Sequence, residues 1–244
     1  MSTQDFARRV RGVGALTDPV RRALYQFVVG QAELVSREQA AAAAGVAHHV
    51  ARFQLDRLVT EGLLEVEFRR LSGRTGPGAG RPAKLYRRAG AEVAVSLPER
   101  RYDLAGELLA TAIESAATAG GSPLEALREA ASAHGSALGR QVRPGGVVAN
   151  GPGLMATTVD ALAAQGYEPR VAGAEITLAN CPFHALVAGH PALVCNMNLA
   201  LLAAAGEALA DGAVRARLDP APGRCCVVLT VQGADDGGAV GDRS

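Results

Sequence analysis

The chain has 244 residues, 48% of them apolar, and a formal net charge of only +1. That length and apolar content suffice for two modest cores or one large one. Met1-Ser2-Thr3-Gln4-Asp5-Phe6-Ala7-Arg8-Arg9 lacks the apolar stretch of a secretory signal, and no long apolar run reads as a membrane span, so a cytoplasmic protein with no membrane partner is expected. The small net charge hides an asymmetry. Residues 1–104 carry 17 basic and 11 acidic side chains, a net of +6, whereas residues 105–244 carry 8 and 13, a net of −5. A basic module joined to an acidic one points to a nucleic-acid reader attached to a sensing or assembly module, because charge distribution speaks to partners.

In chain order, Thr17-Asp18-Pro19 reads as a helix start, with a capping side chain ahead of a proline in the first turn. Val20, Ala23, Leu24, Phe27 and Val28 then form an apolar stripe that ends near Gly30. Ser36 and Gln39 make a capping box that opens a short helix; the alanine run to Ala44 continues it and Gly45 ends it. A second helix follows from Val46. Its apolar residues Val46, Ala51, Leu55, Leu58 and Val59 cluster on one side and leave His48, His49, Arg52, Phe53 and Gln54 largely on the other.

Leu63 to Arg70 alternates apolar and charged residues as a half-buried strand does, and Ala83 to Arg88 reads as its return partner. The stretch between them is too rich in Gly and Pro for a regular element. From Arg69 to Arg88 there are seven Lys or Arg residues and no Asp or Glu, the composition of a segment that lies along phosphates. A short helix, a glycine turn, a second helix and a basic hairpin together describe a winged helix-turn-helix that enters a DNA groove. Arg52 and Gln54 are then the expected base readers, Arg to guanine and Gln to adenine, while His48, His49 and Phe53 share their face. Arg74, Arg81 and Lys84 in the hairpin are expected on phosphates or in the minor groove.

Val93 to Pro98 forms a junction, and Asp103 to Ala117 reads as a helix that pairs with its twin in a second subunit, since reading two half-sites calls for a two-fold dimer. The alternative is a helix packed within its own chain. Ser122-Pro123 opens a further helix from Leu124 to about Gln141, broken by Pro144-Gly145-Gly146. Residues 154–165 read as a helix, Val171 to Leu178 as a strand, Ala192 to Ala210 as a long apolar helix, and Ala213 to Leu218 and Cys225 to Val231 as two strands. The expected organisation is α+β: a winged helix-turn-helix at 12–90, a linker and dimerisation helix at 91–120, a small α+β sensor domain at 121–232 and a disordered tail at 233–244.

All four cysteines lie in the second half, at 181, 195, 225 and 226. Cytosolic thiols are kept reduced, so ligation of zinc or an iron–sulfur centre is the leading reading, with a small buried hydrophobe as the alternative for each cysteine alone. Cys181-Pro182-Phe183-His184 adds a histidine three residues on. If Cys225 and Cys226 are neighbours on a strand they point to opposite faces and do not share a metal. The expected set is therefore Cys181, Cys195 and one of Cys225 or Cys226, with His184, His190 or an exogenous group as the fourth. There is no Gly-rich phosphate loop, no His-Glu-x-x-His and no nucleophile elbow, so an enzyme is not expected. An apolar small-molecule site along Leu193 to Leu209 stays open.

Gly45 to Val59 and Gly80-Arg81-Pro82-Ala83-Lys84-Leu85-Tyr86 resemble ArsR-type winged-helix regulators. Asn180-Cys181-Pro182-Phe183-His184, His190, Leu193-Val194-Cys195 and Gly223-Arg224-Cys225-Cys226 are similar to the SufR-type branch, which represses iron–sulfur-cluster assembly operons. The match runs roughly over residues 12–232. It implies a homodimer that holds a [4Fe-4S] cluster in each C-terminal domain and binds double-stranded operator DNA when the cluster is present.

Overall fold

The computed structural model describes residues 3–70, 82–143 and 152–233, and the chain divides into two units, Met1–Val95 and Ser96–Ser244. Both mix helix and antiparallel sheet, an α+β arrangement.

In the first unit the order is α1 (Thr3–Ala15), α2 (Pro19–Val29), β1 (Val35–Ser36), α3 (Arg37–Ala43), α4 (His48–Thr60), β2 (Leu64–Arg69) and β3 (Ala83–Arg88). Asp18 caps α2 by accepting the Arg21 N–H at 2.9 Å. Ser36 and Gln39 cap each other reciprocally at the start of α3. Gly45 takes φ +63°, a left-handed turn that costs a glycine little and redirects the chain into α4. Leu24, Val28, Ala40, Ala51, Leu55, Leu58 and Leu64 are buried together, with Tyr86 from the sheet. The sheet order is β1-β3-β2, with Val66 opposite Tyr86 and Phe68 opposite Lys84.

The expected boundary at residue 12 is too late, because α1 belongs to this unit. The sequence signal for it is weak, yet Arg11 reaches the Glu61 carboxylate at 3.8 Å, and Arg57 holds the other oxygen of that buried group at 2.6 Å. The hairpin tip at 71–81, which carries Arg74 and Arg81, and the break at 144–146 lie outside the described residues, as does the tail from residue 234.

The second unit runs α5 (Tyr102–Ala119), α6 (Pro123–Val142), α7 (Pro152–Ala164), β4 (Pro169–Ala172), β5 (Glu175–Leu178), α8 (His184–Gly189), α9 (Pro191–Ala210), β6 (Val214–Leu218) and β7 (Val227–Val231). Its sheet order is β4-β5-β7-β6, antiparallel throughout. α9 packs on β6 and β7 and also on α6, and α5 packs along α6. Gly135 and Gly139 of α6 let the helices meet at backbone distance: a Cβ on Gly135 would stand 2.0 Å from the Leu201 carbonyl oxygen.

Three expectations change here. The segment expected to be one strand, Val171 to Leu178, is a hairpin, because Gly173 at φ +59° turns the chain between Ala172 and Glu175. The helix expected as a linker and dimer element gives Leu104, Ala105, Leu108 and Ala112 to the core of its own unit. α9 is also, by length and composition, apolar enough to cross a membrane, contrary to the expectation that no such run exists. Its apolar girth has a local use, since it is covered on one side by α6 and on another by the sheet.

Candidate functional site

Four thiols meet in the second unit. Cys181 follows β5 and is buried; Cys195 lies on the second turn of α9 and is half-buried; Cys225 and Cys226 precede β7, the first buried and the second half-buried. Their thiols lie near enough to bias one another's protonation, in the order Cys181, Cys225, Cys226 and Cys195. The premise that Cys225 and Cys226 are neighbours on a strand does not hold. β7 begins only at Val227, and after Gly223 at φ +74° the pair sits in an irregular turn where strand alternation does not apply.

Backbone contacts fix the row. The Cys225 N–H donates to the Leu178 carbonyl at 2.8 Å, and the Asp219 N–H donates to the Cys226 carbonyl at 2.7 Å. Buried Asn180 ties the exit of β5 down by donating to the Glu99 and Gly166 carbonyls at 3.1 and 2.6 Å and accepting from Arg100. Arg100 also donates to the Cys181 carbonyl at 3.0 Å. Arg224, braced by Asp219 at 3.0 Å, donates to the Cys225 carbonyl at 3.3 Å. The His184 backbone N–H donates to the Cys181 carbonyl at 3.1 Å, and His184 and His190 are both exposed residues.

The row is electrostatically uneven. The hydrogen bond from Cys225 lowers the Cys226 thiol to about 6 against the opposing effect of burial, with Cys195 and Arg224 adding to the fall. Cys181 is lowered by its hydrogen bond with Cys225, again against burial, and Arg100 contributes. Burial and Cys226 push Cys195 up to about 12, and Cys225, hydrogen-bonded to both Cys181 and Cys226, is pushed upward too. The four thiols thus divide by direction, Cys181 and Cys226 lowered and Cys195 and Cys225 raised. Among the described residues, no three His, Cys, Asp or Glu side chains close on one ion position. The donor set is nonetheless all sulfur, the chemistry of zinc and of iron–sulfur centres, and ligation would require turning the thiols from one another toward the metal.

The first unit carries the other candidate surface. On α4, His48, His49, Arg52 and Phe53 are exposed together, Phe53 at 70%. The His48 ring Nε2 lies 2.8 Å from Glu38 of α3. Gln54 is only half-exposed, with its carbonyl oxygen buried and unpartnered among the described residues. Lys84, expected on a phosphate, is turned to its own fold: it lies 2.5 Å from Asp56 and 5.4 Å from the centre of the Tyr86 ring. Arg69 and Arg87 pair with Glu67 and Glu65, each at 2.5 Å. The strands of the hairpin are therefore less freely cationic than the acid-free stretch from 69 to 88 suggests, because β2 brings its own carboxylates.

No protein-family model, curated protein or solved structure matches the chain.

The sequence reading assigns no role to Asn180 or Arg224, which it meets only as neighbours of the cysteines, and does not single out Asn198, Tyr167 or Arg100. Asn198 had a readable signal as a polar residue inside the apolar run of α9. An apolar groove of about 840 Å³ between α6 and α9, lined by Leu124, Leu127, Leu193, Met197 and Ala200 with Arg128 at its edge, matches the apolar site left open along α9.

Proposed function

We propose that this protein is a homodimeric transcriptional regulator whose first unit is a winged helix-turn-helix that reads operator DNA. Its operator affinity is controlled by a [4Fe-4S] cluster held in the second unit. The observation that carries the reading is the gathering of all four thiols, from three separate segments, into one group beside buried amide donors. The donors would be Cys181, Cys195, Cys225 and Cys226, so neither histidine is needed. When bound, the cluster supplies a redox-sensitive and oxygen-sensitive tie among its thiolates.

The protein's own part is to hold the three segments in register: Asn180 and Arg100 set the Cys181 loop, α9 sets Cys195, and the Asp219–Arg224 pair sets the turn of Cys225 and Cys226. On the DNA side, support comes from the left-handed turn between α3 and α4, the exposed row of His48, His49, Arg52 and Phe53, and the antiparallel hairpin that follows. A helix presenting such a face fits the major groove, where Arg reads guanine and Phe packs on a thymine methyl.

The test is protein purified without oxygen, assayed for iron, sulfide and visible absorption, and titrated with DNA fragments before and after the metal is stripped. A brown protein with iron and sulfide that binds a selected duplex only when loaded supports the reading. A colourless zinc protein removes the cluster, and equal DNA affinity in both states removes the regulation.

A further inference from the structure

α9 is apolar along most of its length, yet Asn198 sits in it at 1% exposure. A carboxamide buried that deeply is costly unless its groups are satisfied. Its carbonyl oxygen accepts from the hydroxyl of Tyr167, itself 4% exposed, and its Nδ2 donates to the Cys225 sulfur at 3.3 Å. Because Tyr167 occupies the oxygen, the amide is turned so that nitrogen, not oxygen, faces the sulfur. A neutral thiol is a weak acceptor, so aiming a buried amide N–H at one makes poor use of that donor. An anionic, metal-bound sulfur is a much better partner for it.

We infer that Asn198 is a positioning residue for the Cys225 thiolate, aimed by Tyr167, and that its N–H···S bond sets the electron affinity of the group the cysteines hold. This rests on the cluster reading above. N–H donors to ligand sulfurs draw electron density from a cluster and favour its reduced form, so removing one lowers the reduction potential. Tyr167 remains a hydroxyl donor across the working range, because burial and the nearby sulfurs of Cys225 and Cys181 raise its pKa well above the ordinary phenol value.

The experiment uses the full chain, reconstituted without oxygen with ferrous iron and sulfide, and measures iron content and reduction midpoint in four proteins: wild type, Asn198→Leu, Tyr167→Phe and Asn196→Leu. Asn198→Leu should keep its iron while its oxidised-to-reduced ratio at fixed potential rises about tenfold, a fall in midpoint of about 59 mV for a one-electron couple. Tyr167→Phe, which keeps the ring, should shift the same way by less. Asn196 is exposed and donates to the Ala192 carbonyl at 2.7 Å, so its variant should match wild type. Unchanged midpoints in both Asn198→Leu and Tyr167→Phe overturn the inference and leave the cluster reading standing. A wild type that forms no chromophore overturns both. Should Asn198→Leu fail to fold, Tyr167→Phe decides alone.

Discussion

Lys84 of β3 and Asp56 of α4 are joined at 2.5 Å, and the Tyr86 hydroxyl donates to the same carboxylate oxygen at 3.1 Å. The carboxylate thus pins the hairpin to the outer helix, which fixes the angle between the two surfaces proposed to contact DNA. Burial alone would raise the Asp56 pKa, but the hydrogen bond and charge of Lys84 outweigh it and the net direction is down. A carboxylate with a lowered folded pKa stabilises the fold above its ordinary value and loses that contribution as pH falls through the folded one. Asp56→Asn should therefore destabilise the first unit at neutral pH by about 1 kcal/mol, kept small because both side chains are partly exposed. The gap from wild type should close below about pH 4. Chemical denaturation at pH 7 and pH 3 measures it; an equal gap at both would show that charge is not the cause.

The pairing also marks where sequence reasoning reached its limit. Caps and turns were legible, since Asp18, Ser36, Gln39 and Gly45 act on residues three or four positions away, and the helix limits follow. Long-range partners were not. Nothing local announces that Asp56 will meet Lys84 twenty-eight residues on, or that Glu65 will meet Arg87 of β3. The thiol group is half legible for the same reason: four sulfur residues are visible in the sequence, but an ideal strand is a poor guide to how they sit. β7 starts at Val227, two residues too late for that rule to govern Cys225 and Cys226 together.

Gly135 and Gly106 offer a matched contrast within one unit. A Cβ on Gly135 would stand 2.0 Å from the Leu201 carbonyl oxygen of α9, a backbone atom that cannot swing away, whereas one on Gly106 of α5 meets nothing within 4 Å. Gly135→Ala should cost about 3 kcal/mol or more by forcing α6 and α9 apart. Gly106→Ala should instead stabilise by about 0.5–1 kcal/mol through helix propensity. Thermal melts of the two variants should move in opposite directions. A neutral Gly135→Ala would mean that the α6–α9 contact is looser than described.

The thiol row predicts an order of reactivity in metal-free, reduced protein. Cys226 is half-exposed with its pKa near 6, so above pH 6 it is mostly thiolate, while Cys195, pushed up to about 12, stays protonated at pH 7. Since the thiolate is the nucleophile, brief treatment with iodoacetamide at pH 7 should label Cys226 first, with a rate that climbs between pH 5 and 7. Peptide mapping by mass spectrometry reads the order. First labelling at Cys195, or a rate that rises only above pH 8, would contradict the arrangement.

On DNA, the exposed residues of α4 and the basic residues at the hairpin tip should fail in different ways. On the proposed reading Arg52 reads a base edge, so Arg52→Ala should cost about 1–3 kcal/mol and relax preference at one base pair while leaving other positions discriminated. Phe53, 70% exposed beside it, has no core to serve, and the proposed reading sets it against a thymine methyl. Phe53→Ala should weaken binding to a thymine-containing site but not to the same site carrying uracil, which lacks that methyl. Arg81→Ala, by contrast, should weaken every sequence alike and lower the salt slope by about 1, because one fewer phosphate is neutralised. Quantitative binding to a selected duplex over a range of salt separates the three. A base-specific loss from Arg81→Ala, or a uniform one from Arg52→Ala, would exchange the roles assigned to helix and hairpin, since counterion release is blind to sequence and base-edge hydrogen bonds are not.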